Sequence, residues 1–254
     1  MAECLLLLCD AELAGPLSEA LRRHNPALLI VCAHDRAALD NAAATAGPFD
    51  RLLGFCTETI VPAALLASLR GPAYNIHPAS PAYPGSHPAS FAIWDGALRF
   101  GATAHEVAVR VDSGPIIDVE WFDVPPHCGV LALEDKAGET AAHLVWRLAP
   151  LLARCATPLP RSDLRWGPRK TTRKDFRAMG EIEPGISAAE FERRWRAFGA
   201  RDPSIMQVVL HGRRFALADA APAAAAPPAV AAEPLAGSAG TPSPEPVVPR
   251  VANG

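Results

Sequence analysis

Asn75 and His77 stand two residues apart in the short apolar stretch "AYNIH" (73–77). In an extended strand, residues i and i+2 point to the same face, so these two side chains present side by side. A side-chain amide and an imidazolium are both hydrogen-bond donors, and together they can hold a developing oxyanion. A carboxylate beside His77 favours its charged form and can take a proton from a nucleophile. Asp112, on the turn Asp112-Ser113-Gly114, is the natural candidate. A plainer reading competes: an Asn or His at a strand end is commonly only a cap or turn former.

Other chemistries lack their signatures. The chain has no G-x-G-x-x-G after its first apolar run, no G-x-x-x-x-G-K-[ST] and no G-x-S-x-G, which disfavours dinucleotide binding, a P-loop and a serine-hydrolase elbow. The six cysteines form no C-x-x-C pair and no Cys/His ligand spacing, so no metal site and no disulfide framework is expected; buried reduced thiols are. A net charge of −3 supplies no field for nucleic acid or an acidic membrane surface. The opening "MAECLLLLCD" carries Glu3 and too short an apolar run for a signal peptide or a span, so a cytoplasmic protein without a membrane partner is expected.

The elements that must position Asn75 and His77 are legible from hydrophobic runs. "CLLLLC" (4–9), "ALLIVCA" (27–33) and "RLLGF" (51–55) are continuous rather than alternating, as suits strands buried on both faces of a parallel sheet. Helical stretches are expected between them at Pro16 to Arg23, Asp35 to Ala46 and Pro62 to Arg70, the last stopped by Gly71. Strand alternating with helix predicts an α/β, Rossmann-like, mostly parallel twisted sheet, with 73–77 as a fourth strand. Its carboxyl end is where open α/β sheets place ligands. A short helix at Ala89 to Trp94 should stop at Asp95-Gly96. "GATAHEVAVRV" (101–111) and "PIIDVEWFDV" (115–124) read as two more strands joined by the tight turn at Asp112. A long helix, Leu131 to Arg154, should follow, with Gly138 and Pro150 as break points.

Residues 1–155 are thus expected to form one domain, and 156–218 a small C-terminal α+β element. Within that element lies the basic cluster Arg161, Arg165, Arg169, Lys170, Arg173 and Lys174, which could face an anionic ligand or serve as a solvated linker. Ser187 and Glu190 make a capping box before "FERRWRAFG". Phe191, Trp195 and Phe198 share one helical face, more in keeping with core packing than with a ligand box. "MQVVLHGRRFALA" predicts a hairpin turning at His211-Gly212. From 219 to 254 the composition collapses to Ala, Pro, Gly and Ser, which predicts a disordered tail.

Over a longer stretch, "YNIHPASPAYPGSHPASFAIWDGALRFGATAHEVAVRVDSGPII" resembles the 10-formyltetrahydrofolate-dependent formyltransferases. That family includes the glycinamide ribonucleotide, methionyl-tRNA and sugar-nucleotide N-formyltransferases. The matching elements are N-x-H-P, Y-P-G, A-I-x-x-G, G-x-T-x-H and D-x-G-P-I-I, in that order. The likeness runs over roughly 1–155 and is strongest over 74–117. It implies that Asn75, His77 and Asp112 are the catalytic asparagine, histidine and aspartate. An acceptor amine attacks the formyl carbon on N10 of the folate; Asn75 and charged His77 hold the tetrahedral oxyanion, while Asp112 keeps His77 charged and helps remove the amine proton. The resemblance also implies that Thr59, Ile60 and Val61, in "ETIVPAALL" (58–66), hold the pterin, with His105 on the neighbouring strand. The co-substrate implied is 10-formyltetrahydrofolate, without a metal.

The departures from the family pattern bear on the acceptor. "HPASPAY" is one residue shorter than the usual H-P-S-L-L-P-x-Y and lacks its paired leucines. "CDAELAGP" lacks the Gly-rich phosphate loop of the glycinamide ribonucleotide enzyme. The stretch after 155 is too short for the β-barrel of the methionyl-tRNA enzyme. The expected acceptor is therefore a small amine: a sugar nucleotide, an amino acid or a hydroxamate precursor. A homo-oligomer is compatible with this reading. Two alternatives stay open: a formyltetrahydrofolate hydrolase, and a non-catalytic folate- or partner-binding protein whose Pro78, Pro81 and Pro84 make P-x-x-P steps.

Overall fold

Four of the apolar runs become the parallel part of a six-stranded sheet. The computed structural model describes residues 2–216; the segment 219–254, expected from composition to be a disordered tail, lies outside the described residues. The parallel strands are β1 (Cys4–Leu8), β2 (Leu29–Ala33), β3 (Arg51–Phe55) and β4 (Ala73–His77), linked by α1 (Ala11–Arg22), α2 (Arg36–Thr45) and α3 (Ala63–Ser68). Two further strands, β5 (Arg99–Glu106) and β6 (Ile116–Asp123), add antiparallel beyond β4, giving the order β2-β1-β3-β4-β5-β6. The fold is the α/β, Rossmann-like arrangement expected. Leu5 and Leu7 pack on one face with α1 and the later helix α5 (Val130–Leu152), whereas Leu6 and Leu8 pack on the other with Leu39, Phe49 and Leu52. Both faces are apolar because both are covered, which is why the runs do not alternate.

Two helical expectations are revised. The first helix starts five residues before Pro16 and keeps that proline inside it; the carbonyl of Glu12, four residues back, lies on an exposed turn where water can satisfy it. Helix α5 (Val130–Leu152) runs unbroken through Gly138 and Pro150. A glycine inside a helix costs only about 1 kcal/mol relative to alanine. That is offset by a buried stripe including Leu133, Ala137, Ala141, Leu144 and Leu148. Among the described residues no helix is long and apolar enough to cross a membrane.

The strand expected over 101–111 also needs correction. It leaves the sheet after Glu106, with its register shifting between Ala104 and His105. Val109 and Val111 are 76% and 39% exposed, so the alternation in "VAVRV" is not used for pairing. Gly114 holds the base of the excursion closed: a Cβ there would lie 2.0 Å from the Glu106 carbonyl. The tight turn at Asp112 is therefore the end of a longer loop, 107–115.

Beyond α4 (Pro88–Asp95) and α5, the chain adds α6 (Arg173–Met179), β7 (Glu181–Ile182), α7 (Ala188–Arg194), a π turn at Trp195–Gly199, and the hairpin β8 (Gln207–Leu210) with β9 (Arg213–Ala216). The hairpin turns at His211 (φ 47°) and Gly212 (φ 73°), both left-handed, as a two-residue turn between right-twisted strands requires. The extra residue of the π turn splits the predicted aromatic face. Phe191 stacks on Trp195, while Phe198 packs against Phe91, Trp94 and Phe176. Residues 2–216 belong to one compact unit.

Candidate active site

The chain leaves β1 toward β2 on one side and returns with β3 on the other, so the carboxyl ends of β1 and β3 diverge at a topological switch point. A cavity of about 600 Å³ opens there, within the size range of small-molecule sites. Strand ends supply Leu8, Gly54, Cys56, Asn75 and His77 to its wall. The loop carrying Thr59, Ile60 and Val61 forms one flank, and residues 85–88, 105–112 and 170–173 form the rest.

Asn75 and His77 project from the same face of β4, as their spacing dictates. His105 lies opposite Asn75 in the β4–β5 register, and the Asn75 Nδ2 lies 3.3 Å from His105 Nε2. His105 Nδ1 is 2.8 Å from the Glu106 carbonyl oxygen, which can only accept. The ring proton therefore sits on Nδ1, and Nε2 accepts from the amide. Burial pushes the pKa of His105 down to about 4, against the opposing effects of the Glu106 carbonyl and Asp112, so the ring is neutral near pH 7. Gly54 makes this possible: a Cβ there would lie 2.6 Å from Asn75 Oδ1.

Asp112 is 8% exposed and accepts from the Gly85 backbone N–H at 2.8 Å. Its carboxylate lies 3.8 Å from His77 Nε2 and 3.6 Å from His105 Nε2. Both separations exceed hydrogen-bond length, so Asp112 lies between the two imidazoles without bonding to either. Asn75 Oδ1 and His77 Nε2 are buried without a partner. An orphaned buried polar atom costs about 1–3 kcal/mol, and both residues line the cavity.

Backbone conformation points the same way. Cys56 (φ 48°), His87 (φ 53°) and Asp112 (φ 46°) are all left-handed and all line this cavity. Non-glycine residues held there cost on the order of 1 kcal/mol each and gather at functional sites. The sequence alone offered no sign of Cys56 or His87, because neither residue type announces a positive φ. His87 stacks on Phe176 at 3.7 Å between ring centroids, a contact between the residue that precedes α4 and the later helix α6 that no local motif encodes. Of the basic cluster, Lys170 and Arg173 reach the cavity wall, whereas Arg161 pairs with Glu106. Arg173 itself pairs with Glu58 across the cavity mouth at 2.6 Å.

Residues 27–147 match the family profile described as "Formyl transferase". The chain is 29% identical over 136 residues to the methionyl-tRNA formyltransferase of Lachnospira eligens, covering 53% of this chain and 42% of that protein. The matched stretch thus spans about two fifths of the length of that curated relative. The fold is shared with a sugar N-formyltransferase from a Shewanella species (TM-score 0.66, 14% identity, 85% of this chain and 97% of that one). It is also shared with the N-formyltransferase of Helicobacter canadensis in complex with folinic acid and dTDP-3-aminofucose (TM-score 0.59, 13% identity, 84% of this chain and 86% of that one). The stretch that matches this formyl transferase profile is the one that carries Asn75, His77, His105 and Asp112.

Proposed function

We propose that the chain transfers the formyl group of 10-formyltetrahydrofolate to the amine of a small acceptor. The observation that carries this reading is the arrangement at the end of β4. Asn75 and His77 share one strand face, Asn75 spends only one of its two amide N–H groups on His105, and Asp112 lies 3.8 Å from His77 Nε2 in the same cavity. When an amine adds to a formyl carbon, negative charge gathers on the formyl oxygen. The free N–H of Asn75 and the Nε2 side of His77 are the donors available to it. The attacking nitrogen must shed a proton as the bond to N10 breaks. Asp112 is the carboxylate nearest to receive that proton, and N10 takes one as it leaves. Neutral His105 acts on Asn75, fixing its amide by accepting one N–H and leaving the other for the substrate.

The loop of Thr59, Ile60 and Val61 offers backbone groups and apolar side chains on one flank, suited to a flat heterocycle such as the pterin. The acceptor then enters from the side of residues 85–88 and 170–173. Its class is read as a small amine, in keeping with the fold shared with sugar N-formyltransferases and with a cavity of this size.

The test is to incubate the protein with 10-formyltetrahydrofolate and a panel of amino sugars, amino acids and hydroxylamines, following tetrahydrofolate release. Release that depends on one amine class is the expected result. Release without any amine points to hydrolysis instead. Absence of folate binding by calorimetry overturns the proposal.

A further inference from the structure

His77, His105 and Asp112 do not hold one another in place. The two His–Asp separations of 3.8 and 3.6 Å are too long for hydrogen bonds, yet the reaction read above needs these groups in a fixed relation. What spans them comes from outside the family-matched segment. The indole of Trp166 stands edge-on to His105 (5.0 Å between centroids, 84°) and to His77 (6.2 Å, 60°). Its Nε1–H donates to the carbonyl of Gly114 at 2.8 Å, two residues beyond Asp112. An indole is suited to this, because it joins a broad apolar body to one polar handle.

The chain around Trp166 is itself pinned at both ends. Ser162 N–H donates to the Ile116 carbonyl at 2.8 Å, on the far side of the loop that bears Asp112. Gly167 N–H donates to Pro81 at 2.8 Å, Thr171 N–H to Pro84 at 3.1 Å, and Ser86 N–H to Thr171 at 3.0 Å. Glycine is required where these backbones meet: a Cβ at Gly167 would lie 2.7 Å from the Ala82 carbonyl, and one at Gly85 only 2.1 Å from that of Thr171. Gly85, held in this way, is the residue whose N–H binds Asp112. The strap 162–172 therefore ties the shortened "PASPAYPGS" loop to the loop of Asp112, with Trp166 between them.

We propose that Trp166 is a positioning residue for formyl transfer, its ring bracing His77 and His105 while its N–H anchors the turn that carries Asp112. This rests on the formyl-transfer reading. The test uses the full chain with Trp166→Ala and Trp166→Phe, the latter keeping a ring edge and losing the N–H. Trp166→Ala is expected to lower kcat by about tenfold to a hundredfold, with KM for the folate held within about threefold. In the same variant the His105 imidazole, followed by nitrogen-15 NMR titration, moves up from about 4 as water reaches it. Trp166→Phe falls between Trp166→Ala and the parent in both measurements.

Parental kcat in Trp166→Ala with an unmoved His105 titration overturns the proposal. So does a loss of kcat no larger than the loss of folded protein by circular dichroism, again with His105 unmoved. If Trp166→Ala does not fold, Trp166→Phe decides: reduced kcat at a parental melting temperature supports the brace, and parental kcat refutes it. If the parent itself transfers no formyl group to any amine, the functional reading falls. The His105 titration then decides alone whether Trp166 seals the cluster.

Discussion

The two ends of the β3–β4 pair both carry polar side chains, and they are finished differently. At the amino end of β3, Arg51 is fully buried. Its Nη1 donates to the carbonyls of Leu151 (3.1 Å) and Leu152 (2.9 Å), and its Nη2 to those of Cys155 (3.1 Å) and Thr157 (2.5 Å). The guanidinium lies 5.0 Å from the Tyr74 ring, whose hydroxyl accepts from Leu159 N–H at 2.8 Å. One side chain thus caps α5 and fixes the path that leads on to the strap; only its Nε lacks a partner. At the carboxyl end of β4, the polar atoms facing the cavity include two without partners, and the surrounding backbone is left-handed at three residues. Polar groups taken out of water therefore carry opposite meanings at the two ends. Where the bonds close within the chain, the group holds the fold; where they stop short at a cavity, they await a ligand.

That contrast can be broken by substitution. Arg51→Ala leaves four carbonyls without their donor and is expected to cost about 4 kcal/mol of stability, read from urea unfolding. The rate per folded molecule should stay parental. Asn75→Ala should do the reverse: turnover falls about 10²- to 10³-fold, the usual loss for one oxyanion donor, at a nearly unchanged melting temperature. Asp112→Asn should likewise remove most transfer activity and leave the fold intact. A large stability loss in Asn75→Ala, or a rate loss per folded molecule in Arg51→Ala, would erase the distinction.

A smaller effect sharpens it. His105 is held at about 4 by burial, below the ordinary histidine value of about 6.5. Between those two values the unfolded chain takes up a proton that the folded ring refuses, so stability falls as pH is lowered through that window and levels off below it. The contribution between pH 7 and pH 5 is on the order of 2 kcal/mol. In His105→Gln this part of the pH dependence should vanish from urea midpoints measured at the two pH values. Smallest of all is the exposed pair Arg173–Glu58. Arg173→Ala should change stability by less than about 1 kcal/mol, because both side chains already face solvent.

Local pattern carried much of the scaffold. The runs at 51–55 and 73–77 became strands with those bounds, since continuous apolar residues have few other ways to be covered on both faces. The turn at His211-Gly212 was equally legible, as a glycine-containing pair between two alternating runs. Asn75 and His77 could be set side by side from period-two geometry alone. Asp112 was different: its turn made it the candidate carboxylate for His77 and the family resemblance implied the same, but the alternation in 107–111 concealed the true extent of the loop that carries it.

What the amino-acid order determined by itself was therefore the sheet, its covering helices and the shared face of Asn75 and His77, because these follow from short-range periodicity and burial. The tertiary structure alone decided the Asn75–His105 pairing, the left-handed backbone at Cys56, His87 and Asp112, and the packing of Trp166 against His77 and His105. Each of those depends on contacts between segments far apart in the chain. No local propensity encodes which carbonyl a distant N–H will reach.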